Sequence, residues 1–184
     1  VVTYNVPETK PVSDDDNSIT QLIKNDSTRV VFEKRDSKTN ELINDDLTSS
    51  NSTKTTFRVY MCDKSVSKCT IDNGTLVYFT DREYVDDNDI DANNRKVKAY
   101  KYSKLNSSTN AITDLHTDQG TLIIRYLPSN YKYVIYETVA PSGYYNPTQI
   151  NGQIEFTVEG TTVSEDKDYE DITEVIQNTP TELI

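Results

Sequence analysis

Eight short β-rich runs, separated by clusters of Asn, Asp, Gly and Ser, leave this chain few folds to choose from. They are Val30 to Lys34, Thr55 to Met61, Thr75 to Thr80, Val97 to Tyr102, Gly120 to Tyr126, Tyr131 to Glu137, Gln153 to Val158 and Ile172 to Asn178. So many short strands, with turn signals between them, predict an all-β sandwich or barrel. Only 34% of the 184 residues are apolar, and strand-favouring Tyr, Val and Ile supply most of that share, which suits half-exposed strands better than a helical bundle.

The run from Tyr131 to Glu137 sets the chemical question. Side chains alternate along a strand, so Val134 and Tyr136 share one face while Tyr133, Ile135 and Glu137 share the other. Pro141, Ser142 and Gly143 then force a turn. If the Ile135 face is inward, Glu137 is a carboxyl aimed into a core, where an ionised acid is costly without a partner.

The words Glu137-Thr138-Val139-Ala140-Pro141-Ser142-Gly143-Tyr144 resemble the E-T-x-A-P-x-G-Y box of the Cna protein B-type, or SpaA-like, domains of Gram-positive surface proteins and pilins. Val30-Val31-Phe32-Glu33-Lys34-Arg35-Asp36 resembles the first-strand lysine motif of that family, and Val175-Ile176-Gln177-Asn178-Thr179-Pro180 its last-strand asparagine motif. Between them, Thr117-Asp118-Gln119-Gly120 and Tyr126-Leu127-Pro128-Ser129-Asn130-Tyr131 resemble the T-D-x-G and L-P-x-G-x-Y segments, with Asn130 where the family often has Gly. The resemblance covers roughly Thr28 to Pro180 and implies an immunoglobulin-like β-sandwich of the Cna B-type.

Alternation places Lys34 on the face of Val30 and Phe32, and Asn178 on the face of Ile172 and Ile176, so both are candidates for the core beside Glu137. Burial disfavours the charged forms of Lys and Glu alike, leaving a neutral amine and a protonated acid. The resemblance implies a single-turnover reaction: Lys34 attacks the side-chain carbonyl of Asn178, Glu137 polarises that carbonyl and shuttles protons, and ammonia leaves. Such an isopeptide bond would close a loop of about 144 residues, worth roughly 5 kcal/mol by chain entropy. The alternative from the residues alone is a buried Lys34–Glu137 ion pair with Asn178 as a hydrogen-bonding neighbour.

Other segments are read more coarsely. Residues 1–27 read as an acidic linker, or as the tail of a preceding domain's last strand, because Val1-Val2-Thr3-Tyr4-Asn5-Val6-Pro7 echoes the strand ending at Pro180. Ser18 to Lys24 is an alternative short helical turn, with Ser18 as its N-cap. Residues 28–184 form the sandwich, with an insertion at about 62–115 relative to the compact family pattern, read as a hairpin or small subsheet with Arg82 to Lys96 as an exposed acidic loop. Cys62 and Cys69 in an exported protein point to a local disulfide, worth about 2.4 kcal/mol, with free thiols as the alternative. Asp87, Asp89 and Asp91 match the opening of a calcium loop, but Ala92 and Lys98 stand where Gly and Glu are required, so no metal or other cofactor is expected.

Several functions are excluded or set aside. A net charge of −11 disfavours nucleic acid and anionic membranes, and no run is apolar enough to insert. The single histidine, His116, lacks a nucleophile context and reads as a solvated loop residue, so no enzyme is expected beyond the self-reaction. The expected role is a stalk module of a cell-wall-anchored, extracellular adhesin or pilin, partnered by neighbouring domains of the same protein. The alternative is a ligand-binding adhesin domain that meets a host protein or glycan through the inserted loop or a tyrosine-rich surface formed by Tyr100, Tyr102, Tyr144 and Tyr145.

Overall fold

The computed structural model describes residues 27–44, 54–103, 111–145, 153–160 and 169–181. The readings made for Val1 to Asp26 lie outside the described residues. Nine strands are found among the described residues: β1 (Ser27–Asp36), β2 (Thr56–Asp63), β3 (Thr75–Leu76), β4 (Tyr78–Phe79), β5 (Ala99–Ser103), β6 (Thr121–Arg125), β7 (Tyr131–Val139), β8 (Gln153–Val158) and β9 (Tyr169–Asn178). They form a five-stranded sheet ordered β4-β5-β6-β1-β9 and a four-stranded sheet ordered β3-β2-β7-β8.

The two sheets face each other across one main core. β1 and β9 contribute Val30, Phe32 and Ile176, β6 contributes Leu122 and Ile124, and the opposite sheet answers with Phe57, Val59, Tyr133, Ile135, Phe156 and Val158. Phe156 is the hub, edge-on to Phe32 and stacked on Tyr133, with centroids 5.3 Å away in both cases. Burial pushes the Tyr133 phenol far up, and its hydroxyl donates to the Pro128 carbonyl at 2.6 Å.

First and last strands are neighbours. β1 runs parallel to β9 over ten register pairs, from Ser27 opposite Tyr169 to Asp36 opposite Asn178, and antiparallel to β6 on its other side. The start of β1 and the end of β9 therefore lie at opposite ends of the sandwich.

The run Thr75 to Thr80, expected as one strand, is divided. Val77 is buried and donates its N–H to Val59 at 2.9 Å, while Tyr78 and Phe79 pair with β5 in the other sheet. A chain crossing between sheets needs such a break, and Val77 and Phe79 both bury their side chains in the core as it crosses. The segment 62–115 thus supplies strands to both sheets rather than forming its own subsheet.

Most of Arg82 to Lys96 is exposed, as expected, but Asp89 and Asp91 are buried and Val85 is half-buried. This segment folds over the outer face of the five-stranded sheet, where Val85, Val97 and Ala99 pack on Val31 and Ile123. Asp89 is 0% exposed, and its carboxylate accepts Arg125 Nη2 at 2.6 Å and Arg29 Nε at 3.2 Å. This explains why every residue of β6 is buried, including Arg125. Its apolar run marks a strand covered on both faces, a pattern usual for buried sheets.

On the outer face of the other sheet, Cys62 and Cys69 are joined, with sulfurs 2.08 Å apart, and pack with Val134 under Tyr60, Val66 and Ile71. Removing the carboxylate of Asp89 would deprive two buried guanidiniums of their shared partner. Asp89→Ala is expected to lower unfolding free energy by about 3–5 kcal/mol in urea titration; a loss under about 0.5 kcal/mol, the surface-loop value, would contradict this packing.

Candidate functional site

Lys34, Glu137 and Asn178 meet in the core, and three elements bring them there. Lys34 and Asn178 share an inward face of the parallel β1–β9 pair, Asn178 standing two positions beyond Ile176, the register partner of Lys34. Glu137 comes from β7 of the opposite sheet, on the face of Tyr133 and Ile135, with Phe57 of β2 as its register partner. Exposures of 1% for Lys34 and Glu137 and 2% for Asn178 take the trio out of water.

Their contacts close a triangle. Lys34 Nζ donates to Glu137 Oε2 and to Asn178 Oδ1, and Asn178 Nδ2 donates to Glu137 Oε1 at 3.0 Å. The Phe57 ring lies with its centroid 5.4 Å from Lys34 Nζ. With little water to screen them, the amine, acid and amide interact far more strongly than they would on the surface.

The backbone around Lys34 is fixed by the T-D-x-G turn. Lys34 N–H donates to the Gly120 carbonyl at 2.8 Å, and Ile43 N–H donates back to the Lys34 carbonyl at 2.8 Å. Gly120 has φ +83°, and a Cβ there would stand 2.9 Å from the Ile43 carbonyl oxygen, so only glycine fits. Asn130, where the resembled family has Gly, also adopts a positive φ, +63°, a conformation that Asn tolerates better than most residues.

A second cluster, not singled out from sequence, ties the site's edge together. Asp36, at the end of β1, accepts the N–H groups of Lys38 at 2.7 Å and Thr39 at 3.0 Å through Oδ1, and the Tyr144 hydroxyl at 2.9 Å through Oδ2. The only sequence signal was the coincidence of both residues with the family motifs. These donors, the Thr39 N–H foremost, hold the Asp36 carboxyl below its ordinary range.

The remaining expected residues are drawn apart. Asp87 accepts Lys96 at 2.5 Å, Asp91 binds Arg95 at 2.6 Å and Asp89 takes the two core arginines, so each calcium candidate has its own cation. Tyr100 and Tyr102 lie on β5, at the opposite side of the five-stranded sheet from the β9 tail beside Tyr144 and Tyr145. Tyr100 is also buried, so the four make no single aromatic surface. His116 is half-buried rather than solvated: its Nδ1 donates to the Thr55 carbonyl at 2.9 Å, and its N–H reaches the Tyr100 hydroxyl at 2.9 Å.

Comparison with models of protein families and with curated proteins returns no match. Among solved structures the chain is similar to the minor pilin of Streptococcus agalactiae, at 16% identity and a TM-score of 0.50, covering 88% of this chain and 48% of that one. The fold is that of the matched part of this minor pilin, an all-β sandwich. Two further pilins align with the chain: the shaft pilin SpaA of Lactobacillus rhamnosus GG, at 14% identity and TM-score 0.47 over 86% of this chain and 47% of that one, and a group B streptococcus pilus 2b backbone protein, at 15% and 0.47 over 97% and 52%. The chain spans about half the length of the pilins it matches. At such identities the likeness speaks for the fold, and the site rests on its own geometry.

The depressed Asp36 carboxyl gives the domain a pH signature. Its ionised contacts stabilise fully above the ordinary carboxylate pKa and are lost as pH falls through the depressed folded-state value. Asp36→Asn is expected to flatten the acid limb of the melting-temperature curve; an unchanged limb would mean that the contacts contribute nothing.

Proposed function

We propose that this domain is a load-bearing stalk module of a cell-wall-anchored pilin or surface adhesin, locked by a self-formed isopeptide bond between Lys34 and Asn178 with Glu137 as its acid/base. The observation that carries the reading is the buried triangle of amine, amide and carboxyl, each contacting the other two.

Proton transfer from the Lys34 ammonium to Glu137 gives a neutral amine and a protonated acid without changing the net charge of the core. The amine adds to Cγ of Asn178, forming the N–C bond. The C–Nδ2 bond then breaks, Nδ2 leaving as ammonia with one proton carried from Lys34, and the acid stays neutral. Glu137 is placed to move that proton, since Oε2 faces the amine and Oε1 accepts from Nδ2. The resemblance had put the acid on the carbonyl oxygen; here it contacts the leaving nitrogen, and the amine faces Oδ1. High effective molarity and exclusion of water supply the driving geometry.

The parallel pairing supports the mechanical role. Tension applied to β1 runs along an already extended strand to Lys34, crosses to Asn178 and leaves at the end of β9. Neither the remaining strands nor the disulfide lie on that path. Partners on this reading are neighbouring domains of the same surface protein, and the location is extracellular.

Glu137→Ala is expected to fold, to migrate on denaturing gels as an uncross-linked chain, and to melt roughly 10–20 °C lower once the loop-closure stabilisation is lost. Lys34→Ala should match it on the gel. A Glu137→Ala protein that still cross-links would remove the acid from the mechanism.

A further inference from the structure

We propose that Tyr144 and Asp36 form a positioning pair for the Lys34–Asn178 reaction, a latch that holds the acid-bearing chain of one sheet against the ends of both reacting strands of the other. The inference rests on the cross-linking reading above.

Asn178 is the last residue of β9, which closes one side of its sheet in the strand order. Strand ends fray, and a reaction that depends on near-contact between three side chains cannot tolerate fraying at the amide. The segment after β7 deals with this. Seven residues beyond Glu137, Tyr144 reaches across to β1 and donates its hydroxyl to Asp36 Oδ2 at 2.9 Å. Asp36 is the register partner of Asn178 and lies two residues beyond Lys34.

The same turn also grips the tail of β9. Tyr144 bridges to Pro180, Tyr145 N–H donates to the Thr179 carbonyl at 3.0 Å, and Thr181 N–H donates to the Gly143 carbonyl at 2.8 Å. From the β1 side, Ser37 N–H donates to the Asn178 carbonyl at 2.9 Å. The chain segments that carry amine, acid and amide are thereby joined to one another just outside the buried triangle. Asp36 suits the role because its second oxygen is pinned by two backbone N–H groups, so the carboxylate offers the tyrosine a fixed acceptor. The hydroxyl and carboxylate meet at the ends of the strands that carry the reacting groups, which suits the pair to a positioning role.

The test follows ammonia loss in real time on the full chain, made by cell-free synthesis, with translation stopped and intact mass read at intervals. Tyr144→Phe and Asp36→Asn are each expected to slow the first-order rate roughly tenfold. The double variant should be no slower than the slower single, as for two members of one contact. In a Lys34→Ala background, where no bond forms, adding Tyr144→Phe should move the melting temperature by no more than about 3 °C, and the rate–pH midpoint of Tyr144→Phe should equal that of the wild type. A Tyr144→Phe rate within about twofold of wild type overturns the latch. So does a melting loss large enough to account for the slowing, or a shifted midpoint, which would place the hydroxyl in proton transfer instead. If the wild-type chain never loses ammonia, the cross-linking reading fails and the latch with it; if wild type reacts and Tyr144→Phe keeps pace, only the latch fails.

Discussion

The parallel pairing of β1 with β9 is the constraint on which the rest of this molecule depends. Parallel neighbours cannot be joined by a tight turn, so the whole domain serves as the crossover between them. That long return allows two sheets to be completed before the last strand docks beside the first. It also fixes the one register in which Lys34 and Asn178 face the same core. A slip of one residue would turn Asn178 to the outside.

The second sheet matters to the site because it supplies the acid. Glu137 reaches the amine and the amide only if the sandwich closes at its normal separation, so the site reports on correct packing of the whole core, from the Phe32–Phe156–Tyr133 aromatic cluster to the Gly120 turn under Lys34. On the proposed reading, a covalent bond formed at such a place would record that folding has finished. The buried arginine–aspartate cluster on the outer face plays no part in that chemistry; it seals β6 from water and fastens the long segment that precedes β5.

Much of this was legible in the residues. Alternation placed Lys34, Glu137 and Asn178 on apolar faces, and the ordered motifs gave the sandwich and the strands that carry the trio. What was missed shares one physical character: partners distant in sequence. Nothing near Asp89 reveals that Arg125 and Arg29 wait for it, so this one aspartate of a largely exposed segment reads as solvated when its carboxylate is paired in the core. The run Leu122-Ile123-Ile124 was the available hint, since apolar residues without polar alternation imply cover on both faces. The break at Val77 was hidden in the same way, because strand propensity continues across a crossing that only tertiary pairing reveals. The Tyr144–Asp36 contact joins two motifs that the sequence presents separately, 108 residues apart.

The most direct test of the account is the intact mass of the purified chain after reduction, which removes the contribution of the Cys62–Cys69 disulfide. The account predicts a mass short by one ammonia, with peptide mapping that joins the Lys34 and Asn178 fragments. A chain at its full theoretical mass would contradict it, leaving Lys34, Glu137 and Asn178 as a buried ion pair with an amide neighbour and the stalk without its covalent lock.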